Sequence, residues 1–404
     1  MKKYVIFIII AALYAGLLYK YLHSAPKRDY SDFRVYYAAA ERFISREDIY
    51  AESNSSITPF KYSPAFAMLV SWLSFFSKKT AGVIFFSINF TALILVFILS
   101  GKLIVRNKIS TKQKIFLYTL PAIYTIRFIT YILYTGQVNI IMLALLLCGF
   151  YFLDKQKDLA AASCIGLSIL FKYAPFILLP FFVFRKKFKP AALILLFIAL
   201  YCLMPAAYLG IKTNALYLKN WIPSIISTSL DSNSFYDFKN QSLYSMILRF
   251  FTVNLPYPPL TYVKTYITSL SFNQGMALSV IIASLIYAFI ILPGRKHEFC
   301  KPAEYSLLLI CMALFNPNAW LATFVFCIFA YMFLCYYLLR VHFKDKLTIA
   351  LMFLCFIFMV GGSEFLVGDK LQNLLFQLSF ITFGALTLLF MLLRLKFKKV
   401  ATIA

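Results

Sequence analysis

The sequence is poor in charge: Asp, Glu, Lys and Arg make up 14% of its 404 residues, where an ordinary soluble domain has about a quarter. Acid is scarcest, with 15 carboxylates against 40 Lys and Arg, and there are three histidines, His23, His297 and His342. No HExxH pair, Walker A loop, GxSxG elbow or GxGxxG turn is present. That argues against metallohydrolases, nucleotide-driven pumps and serine hydrolases, and no metal site is expected. Eight cysteines, at 148, 164, 202, 300, 311, 327, 335 and 355, lie in or beside apolar segments with no zinc-like spacing. None falls in 23–62 or 211–274, so these stretches are expected to lack disulfides and the cysteines read as small apolar packers.

What fills the chain instead is hydrocarbon. Apolar residues reach 62% and the mean hydropathy is +0.80, arranged as long runs separated by short basic clusters, so lipid is the solvent to reason with. The net charge of +25 would suit nucleic acid, but its placement does not. The positives gather at helix ends, in 102–114, 185–189 and 394–399, as the positive-inside rule and attraction to anionic lipid headgroups expect. The N-terminal run 4–22 lacks an Ala-x-Ala-like site before Tyr19-Lys20-Tyr21, so it reads as an uncleaved first helix.

A span needs about 20 apolar residues. The pattern predicts an all-α polytopic protein with about twelve spans, near 4–22, 81–101, 115–132, 137–153, 159–171, 174–184, 190–210, 275–293, 303–315, 318–339, 347–367 and 371–393, both termini inside. The pair around Lys172 reads either as two spans or as one broken element. Pro64 to Ser77 is too short to span, and counting it would put 102–114, which has Lys and Arg but no acid, outside. It is expected to lie along the interface. Two large outer segments follow, 23–79 and 211–274, on what is read as one transmembrane domain over 1–404.

Within 28–44, Phe33, Tyr36/Tyr37, Ala40 and Phe43/Ile44 recur at helical spacing, an amphipathic helix suited to the bilayer surface. Asp32 stands at its start, where a carboxylate could accept a proton from an attacking hydroxyl or simply cap the helix. Asp29 is the alternative base, with the same second reading. Phe60-Lys61-Tyr62-Ser63-Pro64 opens the interfacial helix, so Tyr62, like Tyr36, either lines a groove for an amphipathic substrate or anchors the chain at the headgroups. Lys172, between two apolar runs, is costly in hydrocarbon; it either neutralises a lipid phosphate or snorkels. Arg127 is a second embedded cation, for a phosphate or a buried carboxylate, and Arg249 a third. Gln137 and Asn139, in Gly136-Gln137-Val138-Asn139, and Asn240-Gln241-Ser242 offer donors and acceptors suited to sugar hydroxyls, although such residues also make plain turns. Asn316-Pro317-Asn318-Ala319-Trp320 breaks an apolar region, and Trp320 is read as a sugar-binding or interface residue.

The order of these pieces resembles glycosyltransferase family 87, a branch of the multi-span GT-C superfamily that includes polyprenyl-phosphate-mannose-dependent mannosyltransferases. The resemblance rests on Asp32-Phe33 with Tyr36-Tyr37-Ala38-Ala39, Ile49-Tyr50, Phe60 to Pro64, Gly136 to Asn139, Lys172 with Pro175, Asn240 to Leu243 with Arg249, and Asn316 to Trp320. It implies a GT-C-type bundle with interfacial helices in the first outer loop and a cavity on the outer face. It also implies an inverting transfer of a hexose, mannose in the nearest case, from a polyprenyl-phosphate-sugar to a lipid or glycan acceptor. That co-substrate, membrane lipid and the acceptor are the expected partners, with no obligatory cofactor and no nucleic acid. The location implied is the cell (inner) membrane, with the site on the extracytoplasmic side. In such enzymes the first-loop aspartate is the base, which here is Asp32; Lys172, Arg127 and Arg249 would meet the donor phosphate. Where many members carry histidines after the late Trp, this chain has Leu321-Ala322-Thr323, which leaves the acceptor open. Rival readings of the same features are a flippase or permease for a lipid-linked saccharide, an envelope glycan ligase or polymerase, and a scaffold.

Overall fold

The computed structural model describes residues 2–51, 60–229, 232–252 and 267–398; parts of the two expected outer loops, 52–59, 230–231 and 253–266, lie outside the described residues. The first third holds helices α1 (Lys2–Ser24), α2 (Ser31–Ser45), α3 (Pro64–Val70), α4 (Lys78–Ile104), α5 (Thr111–Thr135) and α6 (Asn139–Asp154). Next come α7 (Asp158–Phe171), α8 (Leu178–Phe184), α9 (Phe188–Leu203), α10 (Ala206–Leu209), α11 (Ile211–Ser229), α12 (Ser232–Tyr236) and α13 (Leu243–Phe251). The chain finishes with α14 (Phe272–Ile291), α15 (Cys300–Leu314), α16 (Cys327–Arg340), α17 (Lys346–Phe356), α18 (Glu364–Gln377) and α19 (Phe380–Phe397). Among the described residues there is no β-strand, only an isolated bridge between Thr252 and Leu270.

Local chemistry fixes the helix starts. Ser110 and Gln113 form a reciprocal capping box on α5, as do Ser271 and Gln274 on α14. Ser63 caps α3 by accepting from the Phe66 amide at 3.1 Å, with Pro64 in the first turn.

Among the described residues, seven helices are long and apolar enough to cross a membrane, eight if the bent pair 346–361 and 364–377 counts as one span. Length does not confirm the expected count of about twelve. The helices at 139–154 and 158–171 are apolar but have 16 and 14 residues, reaching only about 24 and 21 Å. The segment around Lys172 is broken: α7 stops at Phe171, Lys172 is extended, and a 3-10 turn at 174–177 leads into α8. The expected last span, 371–393, is also corrected. The chain bends by 84° between 346–361 and 364–377, and α19 forms the final membrane-capable helix.

Burial ranks the spans. The window Leu321–Arg340 is 94% buried and apolar all round, so it is the axis of the bundle, whereas Phe7–Ser24 in α1 is 6% buried and faces outward over most of its surface. Helices α6 and α7 form a hairpin against α4. At one end Asp154 lies 3.8 Å from Arg106, just past the end of α4. Because α4 has 27 residues and α6 has 16, the start of α6 sits about 16 Å deeper than the start of α4 if the two run side by side. A recess results on that face, and the first loop fills it.

The fill is protein-facing. Phe33, Val35, Tyr36, Ala39, Ala40 and Phe43 of α2 are all buried: Phe33 packs on Phe85, Tyr36 on Phe66, and Phe43 on Tyr208. The amphipathic period was read correctly, but its apolar face is covered by the bundle rather than left for a bilayer. Exposed apolar surface lies instead on the turn after α3, at Trp72, Phe75 and Phe76. The second loop leans on the first. Trp221 of α11 donates to the Lys61 carbonyl at 3.3 Å and Ser224 to Phe60 at 3.2 Å, and just before that loop Tyr208 of α10 donates to Ile44 at 2.9 Å.

Candidate active site

Helix α2 starts unusually. Asp29, Tyr30 and Ser31 all have positive φ, between 44° and 56°, a region disfavoured for side chains other than glycine. This knot ends at Asp32 in the first helical turn. The N-cap is Tyr30 and makes no side-chain cap bond, so Asp32 is not the helix cap. Its half-buried carboxylate has no hydrogen bond or ion pair among the described residues. Its charge acts through space on Lys172, Tyr36, Tyr62 and Tyr131.

Asp29, the alternative base, is differently placed. It is ion-paired to Lys78 and to Arg34 (3.2 Å) on an exposed surface, and the hydrogen bond from Lys78, followed by that from Arg34, holds its carboxyl below the usual range. A carboxylate clamped by two cations is a poor proton acceptor.

Around Asp32 the structure gathers residues from four elements. The Tyr36 and Tyr62 hydroxyls are 2.7 Å apart with rings edge-on at 4.9 Å, and Tyr50 donates to the Tyr62 carbonyl at 2.8 Å. Lys172 donates to Asn139 Oδ1 at 2.7 Å and Gln137 Oε1 at 3.1 Å, its ammonium 6.0 Å from the Tyr62 ring centre. An ammonium carries three donors, so one remains for a ligand. The buried Asn139 amide nitrogen has no partner.

Next to this cluster opens a cavity of about 1220 Å³, whose lining includes Lys20, Arg28, Arg127, Tyr131, Lys239 and Trp320. Asp32 and Lys172 do not line it; Tyr131 does, and Tyr131 senses both Asp32 and Arg28. Arg127 lies over the Phe376 ring at 4.9 Å and within the field of Glu364. The sequence reading found Arg127 and Trp320 but missed Lys20, Arg28, Tyr131 and Lys239. A basic residue at the end of the first span was a usable signal for Arg28; nothing local marked Tyr131.

Three expected site residues face elsewhere, and their reading is corrected. Asn240 is fully buried, donating to the Ser234 and Pro317 carbonyls (2.9 and 2.7 Å) and accepting from the Ser242 and Ala319 amides (both 3.1 Å). Gln241, equally buried, donates to the Phe238 and Phe376 carbonyls at 2.8 Å. Arg249, 2% exposed, donates to the Asn240 carbonyl at 2.8 Å and to Ser379 Oγ at 2.8 Å. Interior acceptors occupy these groups, which tie the second loop to the 316–320 turn and the last helices instead of presenting themselves to sugar or phosphate.

The arrangement offers an unpaired carboxylate, a lysine held by two amides, and a cation-lined cavity beside them, which suits moving a proton off a hydroxyl while stabilising an anionic leaving group. No curated protein and no solved structure matches the chain. The family model of glycosyltransferase family 87 matches residues 60–317, a stretch that includes Gln137, Asn139 and Lys172 and begins after Asp32. That match covers more than half of the sequence, and the chain belongs to glycosyltransferase family 87.

Proposed function

We propose that this membrane glycosyltransferase moves a hexose, mannose on the family resemblance, from a polyprenyl-phosphate-sugar to a hydroxyl of a lipid or glycan acceptor, with inversion, at the extracytoplasmic face of the cell membrane. The acceptor oxygen attacks the anomeric carbon, the bond from that carbon to the phosphate oxygen breaks, and Asp32 takes the acceptor proton. Polyprenyl phosphate departs already anionic, so no general acid is needed and cations stabilise the charge that develops. Lys172, Arg28 and Arg127 are assigned to that phosphate; Gln137, Asn139, Tyr36, Tyr62 and Trp320 are assigned to orienting sugar and acceptor. The observation that carries the reading is the unpaired Asp32 carboxylate beside the Lys172 cluster.

The test is transfer of radiolabelled mannose from polyprenyl-phosphate-mannose by the purified chain in liposomes. Asp32→Asn, which keeps shape and removes basicity, is expected to slow transfer by about 10² or more, while Asp29→Asn stays within about threefold of wild type because its carboxylate serves a surface ion pair. Full activity in Asp32→Asn would remove Asp32 as base. Movement of the labelled lipid across the bilayer without a new glycoside would replace transfer by transport.

A further inference from the structure

The face opposite Asp32 carries a charge pattern that sugar transfer does not use. Lys78, bonded to Asp29, begins α4, and Lys102 lies in its last turn, roughly 36 Å further along the helix axis. There a hollow of about 380 Å³ is lined by Lys102, Arg106, Tyr151, Asp154, Lys155 and Lys301. Asp154 is already occupied: Tyr305 donates to it at 2.8 Å, Arg106 approaches to 3.8 Å, and Lys301 pairs with it. Lys102 and Lys155 have no ion pair among the described residues; their ammonium groups sit 5.5 and 5.9 Å from the Tyr151 ring centre. Four cations thus surround one satisfied carboxylate.

A second hollow, of about 440 Å³, shares Lys301 and adds Lys186, Lys187 and Lys189 around Asp158, with Phe188 on its wall. Among the described residues only Lys189 is paired to Asp158, at 3.0 Å. The surplus charge is therefore repeated on both sides of Lys301. Holding this many like charges together is unfavourable unless anions join them. The wall points to the kind of anion. Phe188 is 61% exposed, and Leu195 and Leu196, two turns on along the same face of α9, are about half exposed. An apolar stripe leading out of a basic hollow at a helix end fits acyl chains below a phosphate.

We propose that the two hollows flanking Lys301 form one site for an anionic phospholipid bearing two phosphates, one in each hollow, with its chains along Phe188 and Leu195. The purified full chain in mild detergent is titrated with cardiolipin, and bound lipid is counted by native mass spectrometry. Binding is expected to saturate at one molecule. Lys102→Gln/Lys155→Gln and Lys186→Gln/Lys187→Gln remove exposed charges from one hollow each, and each is expected to weaken binding by about tenfold or more. Lys112→Gln/Lys114→Gln, in the exposed first turn of α5 and outside the lining of both hollows, is expected to change it by less than about threefold. Equal loss in that control pair would reduce the site to diffuse surface charge. Phosphatidylglycerol binding as tightly would overturn the two-phosphate geometry, phosphatidylcholine binding as tightly would overturn the phosphate recognition, and displacement by equimolar pyrophosphate would make this a soluble-anion site.

Discussion

Gly136 ends α5 at φ +71°, and a Cβ added there would lie 2.6 Å from Cβ of Phe33, the neighbour of Asp32. One position therefore answers two demands, a left-handed helix end and close approach by the start of α2. Gly136→Ala is expected to destabilise the fold by about 1–3 kcal/mol through the strained φ alone. It should also push Phe33, and with it Asp32, out of place, and displacement of a reacting group by about 1 Å can lower a rate by about 10². The check is a transfer assay beside a thermal melt: activity should fall much further than the lost stability explains. Matching small losses in both would mean that Gly136 serves only the helix end. At this scale the sequence was informative where the cost of a residue is local. Lys172 between apolar runs and Asp32 before an amphipathic helix are conspicuous wherever they finally point. The reason for glycine at 136 was not legible, because it lies in contact with a residue about a hundred positions away.

Elements were legible by period and cap, and misread where polar side chains choose between ligand and backbone. Asn240, Gln241 and Arg249 have the chemistry of sugar and phosphate recognition, and nothing local distinguishes that use from the one observed. Beside near neighbours such as Ser234, Ser242 and Phe238, their partners include Pro317, Ala319, Phe376 and Ser379, which are 77 to 135 residues downstream. Asn240→Ala removes two donated and two accepted bonds in a fully buried position. With about 1 kcal/mol net for each bond, and more where a buried carbonyl or amide is orphaned, a loss of about 2–4 kcal/mol is expected. It would appear as a lower melting temperature and faster hydrogen exchange at the 316–320 turn, with the donor KM of the folded fraction unchanged. A raised KM with an unchanged melt would restore Asn240 to sugar binding. Helix length was the other limit: apolar runs at 137–153 and 159–171 satisfy a hydropathy window, but the helices have 16 and 14 residues; α6 begins and α7 ends inside the recess, and only packing of α6 against the longer α4 reveals that depth.

At the scale of the whole molecule, charge separates along the bundle axis. The end bearing Lys102, Arg106, Lys155, Lys186, Lys187 and Lys301 holds exposed lysine in surplus, whereas at the opposite end Asp29 pairs with Lys78 and Arg34 and Asp32 stands beside the cavity. On the proposed orientation, which the positive-inside rule supports, the lysine-rich end is expected in the cytosol and the cavity outside. Two substitutions at exposed positions read this directly. Lys239→Cys, in the cavity wall, is expected to react with a membrane-impermeant maleimide in intact cells, and Lys187→Cys only after permeabilisation. The native cysteines are all free, and four are buried while the rest are half-buried, so the parent chain supplies a background to subtract. The opposite pattern would turn the bundle over and deliver Asp32 to the cytosol. There an extracytoplasmic lipid-linked donor could not reach it, and the donor proposed for this enzyme would have to change even though its membership of the glycosyltransferase family stands.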